Sequence, residues 1–120
     1  MILTNENAVK SVTEKAKGGV GHVSHLHFIN AKNRPDSTRV AMAAINTIPV
    51  GSSLGFHIHD NDEEVYLILE GQGLYTDSNR QQYPVKTGDF TLARQGEGHA
   101  LLNTGETPLV FAAVIVDSGK

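Results

Sequence analysis

From residue 22 onward the chain is a succession of short apolar-rich runs, each closed by a small cluster of Gly, Pro, Asn or Asp. Runs at 22–29, 39–48, 54–59, 64–70, 72–76, 81–85, 90–94, 99–103 and 109–116 read as strands. The separators fall at 33–36, 49–51, 60–62, 77–79, 86–88 and 96–98, and their residues supply the φ values and local hydrogen bonds that turns need. Strands spaced by about 8–12 residues predict an all-β sandwich or barrel. No 3.6-residue periodicity runs long enough for a βαβ unit. At 120 residues, 39% of them hydrophobic, the chain suits one domain with one core. A domain of that size buries roughly two-thirds of its unfolded surface.

The first 21 residues follow a different pattern. They are mixed in character, with a polar stretch at 10–17 and then Gly18-Gly19, and they read as an N-terminal arm ahead of a barrel domain over 22–120. The arm packs late or on a partner subunit in this reading. A short helical turn over 8–16 is open, although the apolar spacing there is poor. No positive region followed by an apolar run precedes the arm, so no signal peptide is expected and the chain is placed in the cytoplasm. No apolar stretch approaches the roughly 20 residues of a membrane helix, and no membrane partner is expected. The chain has 13 acidic against 10 basic residues, net charge −3, with the basic ones scattered, which argues against a nucleic-acid partner. Cysteine is absent, which excludes disulfides, thiolate zinc sites, iron–sulfur clusters and a cysteine nucleophile.

Six histidines remain to be explained. His57 and His59 flank one residue in an extended run, so both side chains point to one face, about 6.5–7 Å apart along the strand. Two imidazoles so placed can converge on one ion, with Phe56 and Ile58 turned to the apolar layer. The turn at 60–62 returns the chain antiparallel and brings Glu63 or Glu64 back beside them. Parity selects Glu64, which shares a face with Tyr66 and Ile68, and leaves Glu63 in solvent. His99 opens a later strand that a barrel can bring alongside. Three neutral imidazoles and a carboxylate, with no sulfur, suit one divalent ion of Mn, Fe, Co, Ni, Cu or Zn. A six-coordinate ion would keep two positions open.

Two longer patterns enclose these residues. Gly51, five residues, His57, one, His59, four, Glu64, six, Gly71 resembles the first cupin motif at every fixed position. Gly88, five residues, Arg94-Gln95-Gly96, two, His99, three, Asn103 resembles the second, except that Arg94 stands where proline is usual. The resemblance covers most of residues 22–116. It implies a double-stranded β-helix (jelly-roll) barrel, one metal bound by His57, His59, Glu64 and His99, and commonly a homodimer. Gly51, Gly71, Gly88 and Gly96 become turn glycines and Asn103 a structural strand residue. Arg94 reads as a solvated strand-end residue, or else as a cation that grips a ligand carboxylate.

Other candidates are weaker. His22, His25 and His27 read as strand-face histidines with ordinary hydrogen bonds; lining the pocket or forming an auxiliary metal site is the alternative. Tyr66 is a pocket candidate by its parity with Glu64, whereas Phe28, Phe90, Tyr75 and Tyr83 are read as core. Asp60 and Asp62 are read as turn formers. The ligand set is shared by cupin dioxygenases, decarboxylases, isomerases and lyases, so it selects none of them. Glu63, Tyr66 and Arg94 are the nearest candidates for a general base or other catalytic group. The expected partner is a small oxygen-rich organic molecule. A non-catalytic sugar- or acid-binding sensor is the alternative to an enzyme, and a metal-free structural barrel is a third.

Overall fold

Alternation is clearest in the last strand, where Leu109, Phe111 and Ala113 are buried and the residues between them are not. That period of two places one row of side chains on each face of a sheet. The computed structural model describes residues 1–118, so the last two residues of the expected 22–120 barrel lie outside the described residues. Ten strands occur in the order β1 (Val9–Glu14), β2 (His22–Ile29), β3 (Val40–Ile48), β4 (Ser53–Ile58), β5 (Asp62–Glu70), β6 (Gln72–Thr76), β7 (Gln82–Lys86), β8 (Phe90–Ala93), β9 (Gly98–Asn103) and β10 (Leu109–Asp117). Short 3-10 turns at Asn5–Asn7 and Ala16–Gly18 are the only helical elements among the described residues.

The strands form two antiparallel sheets, ordered β1-β2-β3-β10-β5-β8 and β4-β9-β6-β7. Crossovers between the sheets roll the chain into a double-stranded β-helix, a jelly-roll barrel. Tyr66, Phe111, Ile48, Ile68, Leu101 and Leu109 are fully buried between the sheets. Each such side chain contributes about 1.5–3 kcal/mol by leaving water. The edge strand β7 carries Pro84, a position where a missing backbone donor costs no ladder bond.

Residues 9–14 form a strand, not a helical turn. They pair with β2 from Val9↔His27 to Glu14↔His22, and all six stay exposed. Burial imposes no alternation on them, so hydrogen bonding to the β2 edge decides their conformation. Strand β4 also departs from simple alternation. Its pairing with β9 shifts register between Leu54 and His57, a bulge that lets Leu54 and His57 both face inward. Ile58 is therefore 58% exposed, not turned to an apolar layer, and Phe56 lies under the Arg80 guanidinium, 3.6 Å from its ring centre.

Candidate metal centre

Strands β4, β5 and β9 bring the expected quartet together. His57 pairs with His99 across the β4–β9 ladder, and Glu64 projects inward from β5 between exposed Glu63 and half-buried Val65. Glu64, Tyr66 and Ile68 are all buried, while Leu67 and Leu69 point outward. One ligand atom from each of His57, His59, Glu64 and His99 lies within 4.8 Å of all the others.

The outer nitrogens are tied first. His57 Nδ1 donates to the Gly55 carbonyl at 2.8 Å, and His59 Nδ1 donates to Asp62 Oδ1 at 2.7 Å. His99 Nδ1 is 3.1 Å from the Tyr75 hydroxyl. With Nδ1 protonated, a neutral imidazole presents a bare lone pair at Nε2. The three Nε2 atoms converge: His99 is 3.1 Å from His59 and 3.2 Å from His57. Glu64 Oε1 lies 3.0 Å from Nε2 of both His59 and His99 and 3.7 Å from that of His57.

Lone pairs do not approach one another in this way without a positive centre between them. Donors about 2.1 Å from one ion and at right angles to each other stand about 3.0 Å apart, close to most of these separations. The residues therefore fit a divalent ion, and the wider His57–Glu64 gap marks the more open side.

Without an ion, protons on the converging Nε2 atoms take its place beside Glu64, so the carboxylate draws positive charge to this point either way. Burial pushes the Glu64 carboxyl up, but bonds from His57, His59 and His99 outweigh it and hold it well below the usual carboxylate range. The bond to Glu64 raises His59 above its ordinary value, against burial and with help from Asp62. Burial lowers His99 despite the nearby carboxylate. Tyr66 is raised well above its ordinary value by burial and then by the Glu64 charge, so its hydroxyl stays protonated, 3.3 Å from His99 Nε2.

A cavity of about 130 Å³ opens beside the quartet, lined by His57, His59, Glu64 and Tyr66 on one side and by His25, His27, Asn46 and Lys17 among others. Arg94 does not line it. Its guanidinium is 73% exposed and is held by Glu97 at 2.8 and 3.0 Å, so the strand-end alternative is the one realised. Asn103 donates to the carbonyls of Ile48 and Thr107 at 2.9 Å, bracing the end of β9.

Two supporting residues were missed in the sequence. Asp62 reads in the sequence only as a turn former, although its position three after His59 could flag it. Tyr75 was read as core; it is buried, and its hydroxyl meets His99 because β6 lies beside β9. That adjacency is a property of the strand order and leaves no mark in local spacing.

A family model described as a cupin domain matches residues 44–116, which include both histidine motifs. The chain is 34% identical over 116 residues to a Thermotoga maritima protein named an oxalate-binding protein, covering 97% of this chain and 93% of that one. The crystal structure of a predicted oxalate decarboxylase from Thermotoga maritima superposes with a TM-score of 0.85 at 32% identity, over 98% of this chain and 99% of that chain. The cupin domain of Cnp3 from Schizosaccharomyces pombe superposes at 0.71 with 10% identity, over 90% of this chain and 69% of that one, a likeness of fold alone.

Proposed function

This chain belongs to the cupin family, and from that premise we propose that it is a metal-dependent protein acting on a small chelating organic acid of the oxalate class. The carrying observation is the convergence of three Nε2 lone pairs and one Glu64 oxygen beside a small cavity. His57, His59, Glu64 and His99 would hold the ion. When bound, it supplies a Lewis acid that polarises a chelating oxygen. Asp62 and the Gly55 carbonyl, which can only accept, keep His59 and His57 in the tautomer that an ion requires, and the Tyr75 hydroxyl meets Nδ1 of His99. Tyr66 offers a neutral hydroxyl donor at the cavity wall. The oxalate named for the Thermotoga maritima relative and for the Thermotoga maritima crystal structure supports the ligand class.

A second reading is non-catalytic binding of the same acid. Glu64 is the only carboxylate lining the cavity among the described residues, and it belongs to the metal set, so no free carboxylate base faces the ligand. The curated relative is likewise named for binding. Release of carbon dioxide from oxalate by manganese-loaded protein in air supports the enzyme; saturable binding without turnover supports the binding module.

The ligand assignment has its own test. His59→Ala and Glu64→Gln are expected to lower metal occupancy sharply, and Glu63→Gln to leave it unchanged, by elemental analysis of protein purified without a chelating column. Equal loss in Glu63→Gln and Glu64→Gln would remove Glu64 from the set. Homodimer formation is also proposed, supported by the apolar outer face of the six-stranded sheet. Among the described residues, no helix is long and apolar enough to cross a membrane.

A further inference from the structure

The cavity beside the quartet has a second wall, and its donors have no role in holding an ion. His25 and His27 lie two apart on β2 and project to the same inner face. His25 pairs with Asn46 and His27 with Ala44 on β3. From His27 the same inner row runs through Ala44 on β3 and Ala113 on β10 to Tyr66 on β5. Two buried alanines thus separate the histidine wall from the metal wall along this row, and the cavity itself is lined beside them by Met42 and Ile115.

The polar atoms of this wall are aligned from the edge of the sheet. His25 Nδ1 is 2.8 Å from Asn46 Oδ1, an acceptor, so Nδ1 carries the proton and Nε2 accepts. Thr13 Oγ1, on the edge strand β1, lies 2.8 Å from that Nε2 and donates to it. The Asn46 amide is thereby fixed with Oδ1 turned to His25, which leaves its Nδ2 donors without a protein partner among the described residues. His27, stacked on His25 at 5.1 Å, makes no side-chain hydrogen bond to another described residue. Lys17 is the only Lys or Arg lining the cavity and forms no ion pair among the described residues.

We propose that His27, Asn46 and Lys17 form a ligand-selecting subsite for the far carboxylate of a short dicarboxylate, with Thr13 and His25 as positioning residues supplied from β1 and β2. The assignment rests on the metal-centre reading, since the near end of the ligand lies at the quartet. A cavity of about 130 Å³ has the room of about four waters at their liquid share, which suits two- or three-carbon diacids. Amide, imidazole and ammonium donors facing an anion match this class, because hydrogen bonds to a charged acceptor are the stronger kind.

The test uses the metal-loaded full chain, with calorimetric binding of oxalate, malonate and acetate and with metal content measured in parallel. The parent is expected to bind oxalate more tightly than acetate by about tenfold or more, the worth of one or two charge-assisted bonds. His27→Ala, Asn46→Ala and Lys17→Met are each expected to lower that ratio several-fold, toward what chelation at the ion alone supplies, at unchanged metal content. Thr13→Val is expected to reduce it several-fold, although its side chain lies outside the cavity. Ratios within twofold of the parent in all four variants would overturn the subsite. If Asn46→Ala fails to fold, exposed Lys17 and Thr13 still decide the matter. A parent that loads metal but binds no acid overturns the ligand class and this subsite together, whereas a parent that takes up no ion overturns the metal centre beneath both.

Discussion

Asp62 opens β5 after a turn that crosses from one sheet to the other, not the antiparallel return the sequence suggests, and its carboxylate fixes which His59 nitrogen is free. Partners of this kind orient a ligand and raise its basicity, and losing one costs about 10–100-fold in metal affinity. Asp62→Asn is therefore expected to weaken metal binding within that range, with Asp60→Asn as the neutral control, by competition with a chelator of known affinity. Equal affinities in the two variants would show that the His59–Asp62 bond does not act on the site. A second test at this scale concerns Arg94. Glu97, bonded by the Arg94 side chain and backbone, is lowered from the ordinary 4.5 to about 2. A folded value below the unfolded one means that the pair's contribution is complete above about pH 4.5 and is lost as pH falls toward 2. The Glu97 carboxyl resonance is expected to titrate near the lower value in the parent and to move up toward the ordinary one in Arg94→Ala, which keeps only the backbone N–H bond. The same midpoint in both proteins would mean that the guanidinium does not hold the carboxylate in solution.

Among the elements, β4 decides whether the histidines meet the ion. Its bulge falls at Gly55 and Phe56, and Gly55 passes against the 3-10 turn at Ala16–Gly18. A Cβ at Gly55 would meet the Lys17 carbonyl oxygen and lie 2.8 Å from Gly19 N, both backbone atoms that cannot swing aside. Gly55→Ala is expected to cost about 1–3 kcal/mol, the usual range for overpacking, and to lower metal affinity by displacing the His57 acceptor. Thermal melts with and without metal check both parts; an unchanged melting temperature would show that the contact yields. The bulge also explains what could be read beforehand. Strands β2 to β10 are legible to within two residues at their ends because each is bounded by turn formers, and β5, β6, β8 and the first half of β10 also alternate. The Glu64 side of β5 was legible for the same reason, since a half-buried strand carries its facing in its parity. Phe56 and Ile58 were misplaced because one bulged residue inverts that parity. Strand β1 went unread because a fully exposed edge strand has no buried row to pattern its sequence. Asp62 and Tyr75 went unread because they act through the ligands, and neighbouring strand order, not spacing, puts Tyr75 there.

At the scale of the whole molecule, the unresolved demand is the outer face of the six-stranded sheet. The registers align Leu26, Ile45, Ala112, Leu67 and Phe90 in one row across five strands, with Ala43, Val114, Val65 and Leu92 in the next. Leu67 is 39%, Leu92 46% and Phe90 62% exposed, and the only charge at the row's end is Lys10. A continuous apolar surface of this kind is uncommon on a monomer and marks a face that another surface covers. A second copy related by a twofold axis would lay this face on itself, each row meeting its own counterpart. The parent is therefore expected to sediment at twice the 12.9 kDa chain mass at micromolar concentration. Leu67→Glu with Phe90→Glu is expected to halve that mass, because two carboxylates per chain would face their own copies in an apolar seam. Metal content should not change in this variant, since Leu67 and Phe90 lie on the opposite side of the sheet from Tyr66 and Thr91. His59→Ala, conversely, should lose metal and keep the dimer mass. A parent that sediments as a monomer, or a charged variant that keeps the doubled mass, would leave this face without the partner argued for it.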